Sequence, residues 1–315
     1  MDLLKISDLA INSSVTITLL VKSAEKRLTK TKKPFLVLTL TDGTEDIVGN
    51  NWDYFAEEVP AANTVLELKG RVSEYNGKKQ LTVNSFNTID DADISRFMPN
   101  GNVNVNSYAE IAIALINEIK HEPLKKLLFA IFDDYSGAWS LAPSAVSVHH
   151  AYIAGNLQHS VDTALKAKAL AMLIPNCNVD LCVAGALIHD IGKLRAYGFN
   201  QAVIEMTGPG KLFEHIVLGI EMLNPYITPE NSSVAHLLKH IIASHHGKQE
   251  FGSPATPKFL EAYIVSCADD MDAKVHILLE ASNKKLPDEI YTDKVWLFDN
   301  HEMYTQQHIA KLLSL

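Results

Sequence analysis

The sequence predicts a multidomain α and β protein, in which a small closed β-barrel is followed by an all-α domain. Residues 10–88 consist of short β-branched segments separated by turn residues, whereas from Ser107 onward apolar residues recur at helical spacing. Between them, residues 89–106 contain three aspartates and Pro-Asn-Gly-Asn, a composition typical of a linker. We therefore expect a barrel over residues 1–88, a linker over 89–106 and a helical domain over 107–315.

The barrel prediction depends on five strand-like segments. The strongest turn between them is Asn76-Gly77, because both residues tolerate the positive φ that a tight hairpin requires. Five strands in so short a stretch favour a closed barrel over an open sheet. The predicted strands are 15–21, 35–40, 47–48, 65–75 and 81–83.

The helical prediction begins at Ser107, which we expect to cap the first helix with Glu110 completing a capping box. Apolar residues at 111, 115, 116 and 119 then follow the helical period. Further helices are predicted near 122–135, 151–173, 179–195, 211–224, 232–246 and 257–282.

Charge is distributed unevenly along the chain. The net charge is −9, but residues 1–88 are neutral, and within them a dozen residues hold six basic side chains against Glu25 alone. This basic loop either grips phosphates or is a solvated lysine-rich surface. Trp52, Tyr54 and Phe55 either stack on bases or fill the barrel. The basic residues are Lys22, Lys26, Arg27, Lys30, Lys32 and Lys33, and the nucleic-acid-binding candidates are Lys26, Arg27, Lys30, Lys32, Lys33 and Trp52.

Several classes of protein are disfavoured by composition. The 3 cysteines have no paired spacing, so neither a disulfide framework nor a zinc knuckle is implied. The first residues lack the charged-then-apolar order of a signal peptide, and no apolar run reaches membrane-spanning length. We therefore expect a cytoplasmic protein without membrane contact, and leave homo-oligomerisation open.

The helical domain carries histidines and aspartates on separate predicted helices. His189 and Asp190 are adjacent, and Gly192 follows them as the residue expected to end the helix near solvent. The sequence His245-His246-Gly247 repeats that arrangement. Imidazole and carboxylate ligands together suit borderline divalent metals, and so many of them suit two ions. The candidate ligands are His159, His189, Asp190, His215, His245, His246 and Asp269.

The order of these motifs resembles the HD superfamily of metal-dependent phosphohydrolases. The resemblance implies that one ion is held by His159, His189, Asp190 and Asp269, and that the other is held by Asp190, His215, His245 and His246. Asp269 fits the family position, with Asp270 and Asp272 as competing choices.

A narrower resemblance covers nearly the whole chain. The segment 35–53 is similar to the OB-fold of nucleic-acid-binding domains, and His149-His150-Ala-Tyr152 precedes the His159 helix. Together these features resemble the YhaM-type 3′→5′ exoribonucleases. The HD-GYP phosphodiesterases are excluded, because Gly252-Ser-Pro-Ala stands where they need Gly-Tyr-Pro.

The resemblance implies hydrolysis of single-stranded RNA from the 3′ end to nucleoside 5′-monophosphates, with single-stranded DNA left open as a further substrate. Two divalent ions are expected, Mn²⁺ first, with Fe, Co, Zn or Mg as alternatives. Asp190 and Lys193 are the predicted catalytic residues, with Lys193 stabilising charge on the phosphate. His149 and His150 contact substrate phosphate or cap the next helix. The rival functions are a nucleotidase for small nucleotides and a non-enzymatic single-strand-binding protein.

Overall fold

The structure, a computed structural model, describes residues 4–75, 77–101, 103–146 and 150–313. The chain folds into two compact units. The first comprises Met1–Gly101 with Phe199–Val203, and the second comprises Asn102–Gly198 with Ile204–Leu315. The predicted linker, 89–106, spans the division at Gly101.

The first unit is a closed five-stranded barrel of β1 Ser14–Leu28, β2 Pro34–Thr41, β3 Asp46–Asn51, β4 Val65–Tyr75 and β5 Lys78–Thr88. The strand order around the barrel is β1-β2-β3-β5-β4. Antiparallel pairs join its neighbours except for β3 and β5, which run parallel and close the barrel from Val48↔Gln80 to Asn50↔Thr82. This topology confirms the predicted OB-like barrel.

Alternation along the strands fills the barrel. Leu36, Leu38 and Leu40 of β2 are fully buried, and Leu66 and Leu68 of β4 meet them in the same apolar cluster. The residues between them face outward, as the period of 2 in a strand requires. The barrel core is therefore set by branched aliphatic residues at every second position.

Two turns of the barrel bear on the sequence predictions. The basic segment is not a loop, because β1 continues to Leu28 and pairs with β2 as far as Leu28↔Pro34. Lys22, Lys26 and Arg27 are therefore strand residues, and only residues 29–33 form the turn. The β4–β5 hairpin closes at Tyr75↔Lys78 with Gly77 at φ +75, while Asn76 lies outside the described residues.

The second unit is helical, as predicted, and a short two-stranded sheet spans residues 197–206 of the chain. Gly185 allows its helix to lie close to the helix that carries Ile241, because a Cβ at Gly185 would lie 2.5 Å from Ile241 Cδ1. The helices are α1 Val105–Glu118, α2 Glu122–Trp139, α3 Gly155–Met172, α4 Val179–Ile188, α5 Lys193–Ala196, α6 Gly208–Leu223, α7 Ser232–Ser244, α8 Leu260–Asn283 and α9 Gln306–Leu312. The sheet pairs β6 Tyr197–Asn200 with β7 Val203–Met206.

Two predicted helix ends differ from the structure. Asn104, not Ser107, caps α1, because the Asn104 side chain accepts a hydrogen bond from the Ser107 backbone N–H. Gly192 is not a left-handed residue ending a helix; its φ is −62, and it immediately precedes α5. Glycine is required there by close packing instead, since a Cβ at Gly192 would lie 1.8 Å from the carbonyl oxygen of His215.

Among the described residues, none of the helices combines the length and the apolar character needed to traverse a bilayer.

Candidate metal centre and nucleic-acid surface

Five segments of the helical unit bring the predicted ligands to one place. The ligands come from the interiors of α3, α6 and α8 and from the residues just after α4 and α7. Nearly all are buried, so the expectation that His189 and Asp190 lie near solvent is wrong: each is 1% exposed. Their burial follows from the apolar helices α3, α4 and α8, which pack around them.

The first half of the centre consists of His159, His189, Asp269 and the Oδ2 atom of Asp190. His159 Nε2 lies 3.1 Å from Asp269 Oδ1, 3.1 Å from His189 Nε2 and 3.4 Å from Asp190 Oδ2. His189 Nε2 lies 3.3 Å from the same Asp190 oxygen. These atoms converge on one point, as ligands of a single ion do.

The second half consists of His215, His245, His246 and the Oδ1 atom of Asp190. The three imidazoles each offer a nitrogen within 4.8 Å of the others. Asp190 Oδ1 lies 3.6 Å from His215 Nε2 and 3.5 Å from His245 Nε2. The two carboxylate oxygens of Asp190 thus face different sets of imidazoles, which is the arrangement a shared ligand requires.

Buried atoms without partners show that the second half suits a divalent ion. Asp190 Oδ1, His215 Nε2 and His245 Nε2 are buried, and the protein provides none of them with a hydrogen bond. A buried acceptor left without a partner is costly. A cation bound between these atoms removes that cost, so the residues present fit a metal ion.

Hydrogen bonds at the far side of the rings fix which nitrogen faces the centre. The Nδ1 atoms of His189, His245 and His246 lie 2.7, 2.8 and 2.9 Å from the carbonyl oxygens of Ala186, Ile242 and Phe251. Since a carbonyl only accepts, each Nδ1 carries the proton and donates. Each Nε2 is then left with a lone pair for a metal.

The two halves hold protons differently. Burial lowers the pKa of His215, and burial together with the neighbouring imidazole of His245 lowers the pKa of His246 to about 4. Both imidazoles are therefore neutral near pH 7, the form that binds metal. In the first half, burial opposes protonation of His189, but Asp190 and Asp269 outweigh it and raise the pKa to about 9. The negative charges of Asp190 and Asp269 attract a cation to the first half, and a proton on His189 competes with a metal ion for that site.

Lys193 contacts the centre through Asp190. Its ammonium lies 2.6 Å from Asp190 Oδ2 and 3.4 Å from Ser144 Oγ, and the residue is 7% exposed. Burial alone would lower the pKa of Lys193, but the Asp190 carboxylate raises it, so the ammonium stays charged. The sequence predicts a phosphate contact for Lys193, and the structure places the charge beside the shared carboxylate.

The three competing aspartates of α8 have different surroundings. Asp269 faces the centre at 3.1 Å from His159 Nε2. Asp270 is exposed and pairs with Lys274 at 2.6 Å. Asp272 lies behind His159, where its Oδ2 accepts from His159 Nδ1 at 2.6 Å. Of the three, Asp269 is the one whose carboxylate faces the Nε2 atoms of His159 and His189, whereas Asp272 holds the far nitrogen of His159.

A hydrogen-bonded network continues behind Asp272, and the sequence alone did not reveal it. Asp272 also contacts Lys166 Nζ at 2.7 Å and His150 Nε2 at 3.0 Å. The Nδ1 atom of His150 lies 2.7 Å from the hydroxyl of Tyr152. The only sequence signal was the spacing of Asp269 and Asp272, which puts both on nearly the same side of a helix.

This network corrects the expectation for His150. The residue is 1% exposed and both ring nitrogens have partners within the protein, so it is not placed to contact a substrate phosphate. It does not cap α3 either, because the N-cap residue is Ala154. His149 lies outside the described residues.

Asn156, one turn before His159, connects the centre to the core. Its side-chain oxygen accepts from Trp139 Nε1 at 2.6 Å, and its amide donates to the Asp190 carbonyl at 3.3 Å. The backbone that carries the shared carboxylate is therefore held by a buried side chain of α3.

The barrel unit presents a separate basic and aromatic surface. Trp52 is 44% exposed and stacks on Phe35 with ring centroids 4.6 Å apart, so it is a surface residue and not barrel core. Phe55 is 66% exposed, and Lys33 Nζ lies 5.8 Å from its ring centroid. The sequence grouped Tyr54 with these rings, but Tyr54 packs against the barrel core.

The predicted basic residues of this surface differ in their partners. Lys33 forms an ion pair with Asp53, Arg27 with Glu25 at 2.6 Å, and Lys26 donates to the Ala56 carbonyl at 2.7 Å. Lys30 and Lys32 are exposed in the β1–β2 turn and form no ion pair among the described residues. They are the two basic side chains most available to a ligand.

Comparison with known proteins assigns the helical unit. The HD domain model matches residues 156–274. A domain of replication protein A from Methanococcus maripaludis is 31% identical over 27% of this chain and 93% of its own, with a TM-score of 0.25. The second OB-fold domain of replication protein A from the same organism is 24% identical over 28% of this chain and 96% of its own, with a TM-score of 0.24.

A replication protein A heterotrimer bound to ssDNA is 15% identical over 27% of this chain and 64% of its own, with a TM-score of 0.22. The HD match includes every predicted metal ligand, from His159 to Asp269. The chain is thus an OB-like barrel followed by a helical HD domain, and an HD domain indicates a metal-dependent phosphohydrolase.

Proposed function

We propose that this protein is a metal-dependent 3′→5′ exonuclease that degrades single-stranded RNA, and also single-stranded DNA, to nucleoside 5′-monophosphates. The observation that carries the proposal is Asp190, whose two oxygens face two separate groups of imidazoles. Shared carboxylates of this kind serve two-ion phosphodiester hydrolysis. The direction of cleavage rests on the sequence resemblance to YhaM-type enzymes.

The proposed ligands of the first ion are His159, His189, Asp190 and Asp269, and those of the second are Asp190, His215, His245 and His246. When bound, such ions acidify water and neutralise the charge of a phosphate, and Mn²⁺ is the ion we expect. The residues of the chain do the rest: backbone carbonyls hold the ring protons of His189, His245 and His246 away from the centre, so that each Nε2 stays a donor of electrons.

Lys193 supports catalysis by charge. Its buried ammonium offsets the Asp190 carboxylate at 2.6 Å, and it adds positive potential where a phosphate would arrive. Because the acidic balance of the helical unit repels an anion, this local positive charge matters for substrate approach.

The barrel supplies the nucleic-acid-binding surface in this proposal. OB-folds bind single strands through the face of β2 and β3 and through the turns at β1–β2 and β4–β5. Here that region carries the Phe35–Trp52 stack and the basic β1–β2 turn. Aromatic rings stack on bases without sequence preference, while cations hold the backbone, which suits a processive degradative enzyme.

The test is a cleavage assay on 5′-labelled single-stranded RNA and DNA, with Mn²⁺ and with chelator. We expect a ladder shortening from the 3′ end, nucleoside 5′-monophosphates as products, and no reaction after chelation. Exclusive hydrolysis of mononucleotides or small cyclic nucleotides would instead favour a nucleotidase. Strand binding without any hydrolysis would favour a non-enzymatic binding protein.

The basic turn gives a second test. Replacing Lys30 and Lys32 by Ala removes two exposed charges without breaking an ion pair of the described residues. The slope of log affinity for a long RNA against log salt concentration should therefore become shallower by about 2. The matched control is Lys120→Ala with Lys126→Ala on the helical unit. Cleavage of a dinucleotide should not change. Equal loss on dinucleotide and long RNA would show that the turn is not a strand-binding surface.

A further inference from the structure

An exposed aromatic residue, Phe251, is joined through its backbone to His246 of the second half of the metal centre. Phe251 ends a short 3-10 turn, Gln249–Phe251, which follows the ligand His246 by only a few residues. Its side chain contributes to no apolar core cluster, and the residue is 60% exposed. A single exposed ring is ordinary on a protein surface, so what distinguishes Phe251 is the hydrogen bond that joins its backbone to the ligand His246.

The turn that carries Phe251 is hydrogen-bonded to His246, one of the predicted metal ligands. The Phe251 carbonyl accepts from His246 Nδ1 at 2.9 Å, so one hydrogen bond separates the backbone of Phe251 from a predicted metal ligand. The Phe251 backbone N–H donates to the Lys248 carbonyl at 3.1 Å, and Gly252 closes the turn at φ +93. That φ favours glycine, so the turn has a defined shape.

A lysine accompanies the ring. Lys248 Nζ lies 5.2 Å from the centroid of the Phe251 ring, within the range of a cation–π contact. The same ammonium pairs with Glu250 at 3.1 Å, and both side chains are about two-thirds exposed. Lys248 covers at most one face of the ring, so a flat ligand can stack on the other.

We propose that Phe251, with Lys248 beside it, is a stacking platform for the nucleobase at the reacting end of the substrate. The inference rests on the proposed function, because it takes the substrate to be a nucleotide whose phosphate binds at the metal centre. A phosphate held there leaves the attached sugar and base next to the ligands, and Phe251 is the exposed ring tied to one of them. Stacking accepts any base, which is the selectivity an exonuclease needs.

Replacing a stacking aromatic side chain by alanine lowers the affinity for the nucleotide whose base stacks on it. Phe251→Ala should raise KM for short RNA by roughly 5- to 150-fold while kcat changes little. Phe251→Trp should retain the wild-type KM. On an RNA whose 3′-terminal nucleotide is abasic, Phe251→Ala and wild type should behave alike, since there is no base to stack. Trp296→Ala, which removes another exposed ring of the same unit, is the matched control.

A second measurement separates this inference from the nuclease proposal. Quenching of 2-aminopurine riboside 5′-monophosphate should occur with the wild type and with Phe251→Trp, and should be lost in Phe251→Ala. If the wild type quenches this probe but cleaves no RNA, the platform stands and the nuclease proposal fails. If Phe251→Ala cleaves base-bearing RNA as well as the wild type, or loses equally on abasic RNA, the platform is overturned while the nuclease proposal stands.

Discussion

The two halves of the metal centre share Asp190 but are otherwise built from different chemistry. The first half adds one further carboxylate to two imidazoles, whereas the second adds three imidazoles and no further carboxylate. The pKa of His189 in the first half is raised to about 9, while that of His246 in the second is lowered to about 4. The first half would therefore attract its ion mainly through carboxylate charge, and the second half mainly through neutral imidazole nitrogens.

The halves also differ in their support and exposure. In the first half His159 is fully buried, and Asp272 fixes its far nitrogen. In the second half, His246 is only partly buried, and its Nδ1 donates a hydrogen bond to the backbone carbonyl of Phe251. Directly before His215, Glu214 interrupts α6 with φ 56 and ψ 167, a conformation that is costly for a residue other than glycine. The second half is therefore the more open and the more strained, and we expect it to bind its ion more weakly and to meet the substrate first.

The largest effect should follow from Asp190→Asn, because that change touches both halves. An amide lacks the negative charge that both ions need, so bound metal and hydrolysis should both fall to background. The substitution also leaves the buried Lys193 ammonium without a counter-charge, which typically costs about 3–5 kcal/mol of stability. Metal analysis of the purified protein and thermal unfolding measure the two effects.

A companion variant keeps that result interpretable. Asp190→Asn combined with Lys193→Met removes the buried pair as a whole, so its unfolding temperature should recover relative to the single variant while metal stays absent. Two ions per chain in either variant would mean that Asp190 is not the shared ligand.

His246→Ala should separate the halves. It removes one imidazole from the second half and leaves the carboxylates of the first untouched, so a metal titration should show one ion at wild-type affinity and one weakened by roughly 100-fold or more. Hydrolysis should fall with the weakened ion and recover at high Mn²⁺. If both ions weaken equally, the contrast between the halves is wrong and the centre behaves as one unit.

Much of this architecture could be read from the sequence, because local patterns decide it. Alternating apolar residues specify the barrel strands, and histidines at the ends of apolar helices indicate the centre. What could not be read depends on contacts distant in sequence. The reason for Gly192 is an example: the sequence suggested a left-handed helix end, but the cause is the His215 carbonyl, which α6 brings to where a Cβ would stand.

The contacts of the charged and titratable side chains could not be predicted from the sequence either. The basic segment was expected to be a loop because lysines are common in loops, and the pairing of β1 with β2 that makes most of it strand is a tertiary event. Likewise, the sequence left His150 open between a contact with substrate phosphate and a cap of the next helix, whereas Asp272, 122 residues away in sequence, holds it in the interior. Sequence shows which residues carry chemistry more readily than it shows what they face.

The smallest of these effects should come from Asp272→Asn, which acts on the first half through His159. The carboxylate accepts from His159 Nδ1 at 2.6 Å, so it sets the ring orientation and makes the opposite nitrogen a better donor. An amide of the same shape keeps a weaker contact, and we expect the affinity of the first ion to fall by roughly 10- to 100-fold, with the second ion unchanged. Metal titration of the purified variant measures this directly, without relying on turnover.

Asp270→Asn is the matched control, because Asp270 is on the same helix but is exposed and pairs only with Lys274 among the described residues. Equal affinities in the Asp272→Asn and Asp270→Asn variants would show that the network behind His159 is structural and does not tune the metal.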